Sequence, residues 1–210
     1  MMPKEDHSRP ASLVPSNRME SKIDWTTGLL DQLGFQWDHA LRPRLDTLSD
    51  EAIHWEPVDG MWGIRRRADA RSAMPQGAGD IVMDFDLHAV PPPPVTTIAW
   101  RLGHIAVVYG ERAANHFGDG GVCYGTMDWP LDVDGMRALV DHWHDEWVAG
   151  VAAIDAGGLA RPCGPAEGPY AEEPLANLVL HVNREILHHG AEVALLMDLY
   201  AHRETLRGVR

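Results

Sequence analysis

Four segments of the chain carry apolar residues at helical spacing, and stretches rich in glycine and proline separate them. Side chains three and four positions apart lie on one face of a helix, so this periodicity predicts amphipathic helices. The predicted helices cover residues 25–48, 96–117, 134–156 and 174–202. Four long helices with little strand content predict an all-α fold, an up-down four-helix bundle.

Residues at the helix ends support these boundaries. Pro43 is expected to kink the first helix, because proline removes a backbone donor. Ser49 is typical of an N-cap and predicts a short helical turn after that helix. Gly118 is expected to end the second helix, and Gly157-Gly158 the third.

A long irregular connection, residues 57–95, joins the first and second predicted helices. Residues 80–87 alternate between polar and apolar and predict a strand or one arm of a hairpin. The basic run Arg65-Arg66-Arg67 is interpreted as a solvated turn in this connection. Connections of this length often carry function or cover a site, and we expect the same here.

Composition narrows the class of protein. The 210 residues suit one domain, expected at 21–205 after a disordered tail at 1–20. The tail has no apolar segment of signal-peptide type, and no apolar run approaches the roughly 20 residues of a membrane span. The net charge of −13 disfavours nucleic-acid binding, and two cysteines without a CxxC pair indicate a reducing compartment. We therefore expect a cytoplasmic protein without nucleic-acid or membrane partners.

The fourth predicted helix carries a polar stripe on a face that is apolar at both ends. At 100° per residue, four ionisable side chains fall within about 40° of one direction. They are His181, Glu185, His189 and Glu192, with Leu178 and Leu196 as the apolar flanks. Burying such groups unpaired costs several kcal/mol each, and a bound cation would offset that cost. The alternative is a surface hydrogen bond between Glu185 and His189, a common pairing at this spacing.

A third ligand is offered by His104 on the second helix. Its face of that helix also holds Trp100 and Val108, and Gly103 beside it would permit close approach of a neighbouring helix. The alternative for His104 is a core histidine with a hydrogen-bond partner. On the fourth helix, His188 is the alternative ligand.

Two segments, TTIAWRLGHIAVVYGERAANHFG and LVLHVNREILHHGAEVALLMDLY, resemble the DinB-like superfamily of metal-binding four-helix bundles. The resemblance implies a divalent metal held by one histidine on the second helix and an HxxxH pair on the last. His104 and His189 match this pattern, whereas Glu185 stands where the middle histidine is usual. A similar Glu-x-x-x-His pair occurs in the mycothiol-dependent maleylpyruvate isomerase branch. That isomerase has a further C-terminal domain, and because this chain ends at Arg210 we do not expect isomerase activity itself.

Two imidazoles and one carboxylate would leave coordination positions open, the pattern of a catalytic zinc, with nickel or iron as alternatives. The first hypothesis is a thiol-dependent transferase acting on a small-molecule substrate with a low-molecular-weight thiol of mycothiol or bacillithiol type. The second is a hydrolase that activates water on the metal, with Glu192 as general base. The third is a non-enzymatic, stress-linked metal-binding protein. His181 is expected to support Glu185 from outside the ligand set.

The resemblance also implies a homodimer. Trp143 and Trp147 on the third predicted helix would supply an apolar contact face. Packing of both tryptophans in the core is the alternative.

Overall fold

The computed structural model describes residues 23–88 and 91–207. The first helix, α1 (Trp25–Gln36), continues through a π-helical segment (Trp37–Leu41) into α2 (Arg42–Leu45). The remaining helices are α3 (Asp50–Ile53), α4 (Ile98–Phe117), α5 (Val133–Ala152), α6 (Ala156–Ala160), α7 (Leu175–Ala201) and α8 (Arg203–Arg207). Two short strands, β1 (Ile64–Arg66) and β2 (Ile81–Met83), form one small sheet. The predicted helical class is confirmed, and the tail predicted at 1–20 lies outside the described residues.

Capping residues explain where the long helices begin and end. The Thr97 hydroxyl accepts a hydrogen bond from the Trp100 N–H at 3.2 Å, and α4 ends at Gly118 as predicted. The third helix, however, ends at Ala152, short of the predicted residue 156. There the chain turns into α6, whose N-cap Asp155 accepts from the Gly158 N–H at 2.7 Å. The glycine pair therefore lies inside a new short helix.

The predicted irregularity around Pro43 takes the form of a π-helical segment. The Arg42 N–H donates to the Trp37 carbonyl, five residues back, immediately before the proline. Because Pro43 has no N–H, the α-helical ladder could not continue unchanged through this point. The helix ends at Leu45, three residues before the predicted end, and Ser49 caps α3 as expected.

Four long helical segments pack around one hydrophobic core. Helix α4 contacts both α5 and α7, and α1 contacts both α5 and α7. Glycines permit two of these approaches. A Cβ on Gly110 would lie 2.8 Å from the Trp143 ring, and one on Gly190 would lie 3.2 Å from Leu41. Within the described residues, no helix has both the length and the apolar character needed to cross a membrane.

The two tryptophans of α5 belong to this packing. Trp147 is fully buried, and Trp143 lies against Gly110 of α4. The alternative of packing in the core therefore applies to Trp147, whose side chain cannot contact a second chain. The homodimer itself stays a prediction.

The long connection is more ordered than its sequence suggested. Strands β1 and β2 pair antiparallel, with Ile64 opposite Met83, although β2 is shorter than the predicted strand at 80–87. The hairpin packs on α4, where Ile64 would meet a Cβ on Gly103 at 2.9 Å. The expectation that a neighbouring helix approaches Gly103 was wrong, because the hairpin and Trp129 occupy that space.

A fully buried carboxylate holds the hairpin together. Asp84 accepts hydrogen bonds from the backbone N–H groups of Gly63 at 3.0 Å, Arg71 at 2.6 Å and Ser72 at 3.1 Å. Arg65 adds an ion pair, with its Nε 2.8 Å from the Asp84 carboxylate. The interpretation of the basic run as a solvated turn is therefore wrong for Arg65. This residue lies in β1 and neutralises a charge that burial would otherwise make costly.

We expect Asp84→Ala to lower the free energy of unfolding by about 3 kcal/mol, since it leaves Arg65 and three backbone N–H groups without their acceptor. The matched control is Asp80→Ala in the same hairpin, where both Asp80 and its partner Arg66 are about two-thirds exposed. That change should cost about 0.5 kcal/mol or less. Urea unfolding of the variants measures both values, and equal losses would contradict the role given to Asp84.

Candidate metal centre

The structure brings His104, Glu185 and His189 together between α4 and α7. Each offers one ligand atom, and these atoms lie within 4.8 Å of one another. Glu185 and His189 are one helical turn apart, so their side chains project in the same direction. The Glu185 Oε2 lies 3.4 Å from the His189 Nε2 and 4.0 Å from the His104 Nε2. The three predicted ligands therefore share one small volume.

These distances fit a single divalent ion. Bonds of about 2.0–2.2 Å place two ligand atoms on one ion roughly 3–3.5 Å apart, so the cluster needs only a small contraction. All three side chains are mostly buried but still reachable, with exposed fractions of 19%, 21% and 13%. Two imidazoles and a carboxylate suit zinc, nickel or iron by ligand type.

His104 is held between two aromatic rings. The Trp100 ring stacks on it at a centroid distance of 5.4 Å, and the Tyr124 hydroxyl forms a hydrogen bond with its Nδ1. Burial, followed by the nearby His189, lowers the pKa of His104 to about 4. The imidazole is therefore neutral at pH 7, the form that ligates a metal. With Nδ1 facing Tyr124, the Nε2 faces Glu185.

His189 is oriented by a carboxylate and a guanidinium. Its Nδ1 lies 2.7 Å from the Glu192 Oε2 and 3.2 Å from the Arg101 Nη1. Arg101 also donates to the same Glu192 oxygen. Since a guanidinium only donates and a carboxylate only accepts, Nδ1–H donation to Glu192 is the tautomer that frees Nε2 for a metal.

Glu185 has different neighbours on its two oxygens. Oε2 faces the histidines, whereas Oε1 lies 3.2 Å from the Arg184 Nη2 and 3.6 Å from the His181 Nδ1. Burial opposes ionisation of Glu185, but the Arg184 hydrogen bond and the imidazoles of His181 and His189 outweigh it and lower its pKa. The carboxylate is therefore charged at neutral pH, as a metal ligand must be.

The other predicted residues lie around this cluster. The apolar flanks Leu178 and Leu196 are buried, as the helical wheel indicated. His188 lies outside the cluster, with 63% of its side chain exposed and its Nε2 3.4 Å from Glu192. Glu192 contacts His189 and Arg101, so its position is that of an orienting group and differs from that of a free base. His181 lies beside Glu185, where it was expected.

Two contributors were missed in the sequence. Tyr124 comes from the glycine-rich loop between α4 and α5, and no periodicity there marks it as a partner of His104. Arg101 had a usable signal, because it lies three residues before His104 on a helix and so shares its side. A charged residue on that apolar side needs an oppositely charged partner, and in the structure this partner is Glu192.

We expect Tyr124→Phe to weaken divalent-metal affinity about tenfold, because His104 loses the hydroxyl that fixes its ring and tautomer. Tyr109→Phe is the matched control, since the buried Tyr109 hydroxyl has no hydrogen-bond partner among the described residues. That variant should bind metal as the wild type does. Competition with a chromophoric chelator measures both, and equal affinities would contradict the positioning role of Tyr124.

One comparison with known proteins identifies the superfamily of this chain. The sequence profile of the DinB superfamily matches residues 81–193, which are 113 of the 210 residues. This range contains His104, Glu185 and His189. No curated protein and no solved structure matches the chain. Because the profile covers more than half of the sequence, the chain belongs to the DinB superfamily.

Proposed function

We propose that this protein is a divalent-metal-dependent transferase that activates a low-molecular-weight thiol for attack on an electrophilic small molecule. The observation that carries the proposal is the convergence of His104, Glu185 and His189 on one partly exposed point. A zinc, nickel or iron ion held there would supply a Lewis acid that favours the deprotonated thiol at neutral pH. Three protein ligands leave positions for a substrate.

The residues around the cluster hold its side chains in an orientation suited to binding a metal. Tyr124 holds His104, and Glu192 together with Arg101 holds His189, so both imidazoles present Nε2 without further rotation. Trp100 stacks on His104 and supplies an apolar face beside the cluster. Electrostatic attraction between a metal and a thiolate is stronger in such a site than in open solvent.

The arrangement of α1, α4, α5 and α7 supports the proposal that residues 21–205 form an up-down four-helix bundle. Each of the four segments packs against two others, and the site lies between two of them, α4 and α7. Bundle proteins commonly build metal sites from side chains on facing helices in this way.

The hydrolase is the weaker alternative. It needs a carboxylate free to take a proton from water, and Glu192 was the candidate. The Glu192 Oε2 contacts Arg101 and His189, and Oε1 lies 3.4 Å from His188. The Oε2 of Glu192 is therefore already engaged as a hydrogen-bond acceptor by Arg101 and His189.

Protein purified without chelator should carry close to one divalent ion per chain. His104→Ala and His189→Ala should each lose most of that ion, because the two remaining ligands bind weakly. The matched control is His188→Ala, adjacent in sequence but outside the cluster, which should keep the metal. Metal analysis by mass spectrometry measures this. A greater loss in His188→Ala than in His189→Ala would mean that the metal lies on the other face of α7.

The thiol step is tested with cobalt(II)-loaded protein. Adding small thiols should produce a sulfur-to-cobalt charge-transfer band, which Glu185→Ala and His189→Ala should abolish. Absence of the band, together with turnover of an ester or amide by the zinc-loaded protein, would favour the hydrolase. Absence of both would favour the non-enzymatic metal-binding protein.

A further inference from the structure

A pocket of about 480 Å³ lies between α4, α7 and the loop that joins α6 to α7. We call it the α4–α7 pocket. Its lining includes Arg112 from α4 and Leu178, His181 and Arg184 from α7, with Tyr170 from the loop. Pockets of this size take small organic ligands, and Leu178 and Tyr170 offer apolar surface to one.

The pocket is separated from the metal cluster by one carboxylate. The Glu185 Oε1 lies 3.6 Å from His181 and 3.2 Å from Arg184, which both line the pocket. The Oε2 of the same carboxylate faces the two histidines of the cluster. The pocket and the cluster are therefore neighbours that share the Glu185 side chain.

The loop wall of the pocket is fixed in place. Its two ends are joined by backbone hydrogen bonds from Cys163 to Glu173 and from Leu175 to Arg161, both 2.8 Å long. The loop is also tied to α4, because the His116 Nε2 lies 3.0 Å from the Glu167 Oε1. The cavity is therefore largely formed before a ligand enters, which lowers the entropy cost of binding.

Charged side chains of both signs line the pocket, and one guanidinium nitrogen among them lacks a hydrogen-bond acceptor within the described part of the chain. Arg112 and Arg184 bring two guanidiniums, and Glu167 and Glu173 bring two carboxylates. The Arg112 Nη1 donates to Glu111 at 2.6 Å, but its Nη2 lies 3.9 Å from Glu167, too far for a hydrogen bond. Nη2 donates to no described residue, so it is able to bind an incoming anion. A carboxylate suits this site better than a phosphate dianion, which the two glutamates would repel more strongly.

We propose that the α4–α7 pocket binds the carboxylate of a small organic co-substrate, with Arg112 as the specificity-determining residue. This inference rests on the proposed function, since the co-substrate is either the thiol or its electrophilic partner. In both cases the carboxylate binds Arg112 in the pocket, and the rest of the molecule extends past Glu185 to the metal. The apolar part of the ligand packs on Leu178.

The pocket is tested first without metal, so that the result does not depend on the proposed chemistry. Metal-free protein is titrated with 4-phenylbutyrate and with its neutral analogue 4-phenylbutanamide, followed by amide chemical shifts in NMR spectra. The carboxylate should bind about tenfold more tightly than the amide and should shift residues around Leu178. Equal binding of the pair, or shifts elsewhere, would overturn the proposal. Tighter binding of phenyl phosphate would overturn the choice of carboxylate.

Variants assign the preference to one side chain. Arg112→Gln should reduce the tenfold preference to about one, and Arg112→Lys should keep part of it because the charge remains. The matched control is Arg161→Gln, which removes an exposed arginine of the same loop that does not line the pocket. If Arg112→Gln does not fold, the other two variants carry the test. Either full retention of the preference in Arg112→Lys or its loss in Arg161→Gln would overturn the role of Arg112.

The source of the carboxylate is resolved with cobalt-loaded protein and the thiols 3-mercaptopropionate and 2-mercaptoethanol. Tenfold tighter binding of 3-mercaptopropionate, lost in Arg112→Gln, would assign the carboxylate to the thiol. If both thiols bind equally while the NMR titration shows the carboxylate preference, the carboxylate belongs to the electrophile. A positive NMR result with no charge-transfer band for either thiol would support the pocket while the proposed thiol chemistry fails.

Discussion

The packing of α4 against α7 places an imidazole of one helix beside a carboxylate and an imidazole of the other, in a mostly buried position. His104, Glu185 and His189 are mostly buried there, and each loses hydration that it would have in the unfolded chain. Burial on this scale is tolerated only when the polar atoms find partners. The site and the core are therefore two parts of one interface, and the same helix contact positions both.

Partners for the three side chains come from different parts of the fold. Tyr124 reaches His104 from a loop, Arg101 reaches Glu192 from the facing helix, and Arg184 reaches Glu185 from its own helix. These contacts leave the two Nε2 atoms and one carboxylate oxygen directed at a common point. Fixed donors cost little reorganisation when a ligand binds, which is the physical advantage of supporting a site from several elements.

The positions of the long helices could largely be predicted from the sequence. The capping hydroxyls of Thr97 and Ser49 and the helix end at Gly118 act locally, so their effect does not depend on distant contacts. The end of α5 at Ala152 and the regular pairing of β1 with β2 could not be predicted from it. Asp84 shows the reason, because its buried charge is stable only once the fold has brought Arg65 and three backbone donors to it.

The sequence by itself determined the helical class, the polar stripe on α7 and the three side chains that meet, because helical periodicity fixes which residues share a face. Only the tertiary structure decided what surrounds them. Glu192 pairs with Arg101, Tyr124 contacts His104, and Arg112 lines a pocket with residues of α7. Each of these contacts depends on the packing of separate elements, and the pattern of apolar and polar residues along the sequence does not specify that packing.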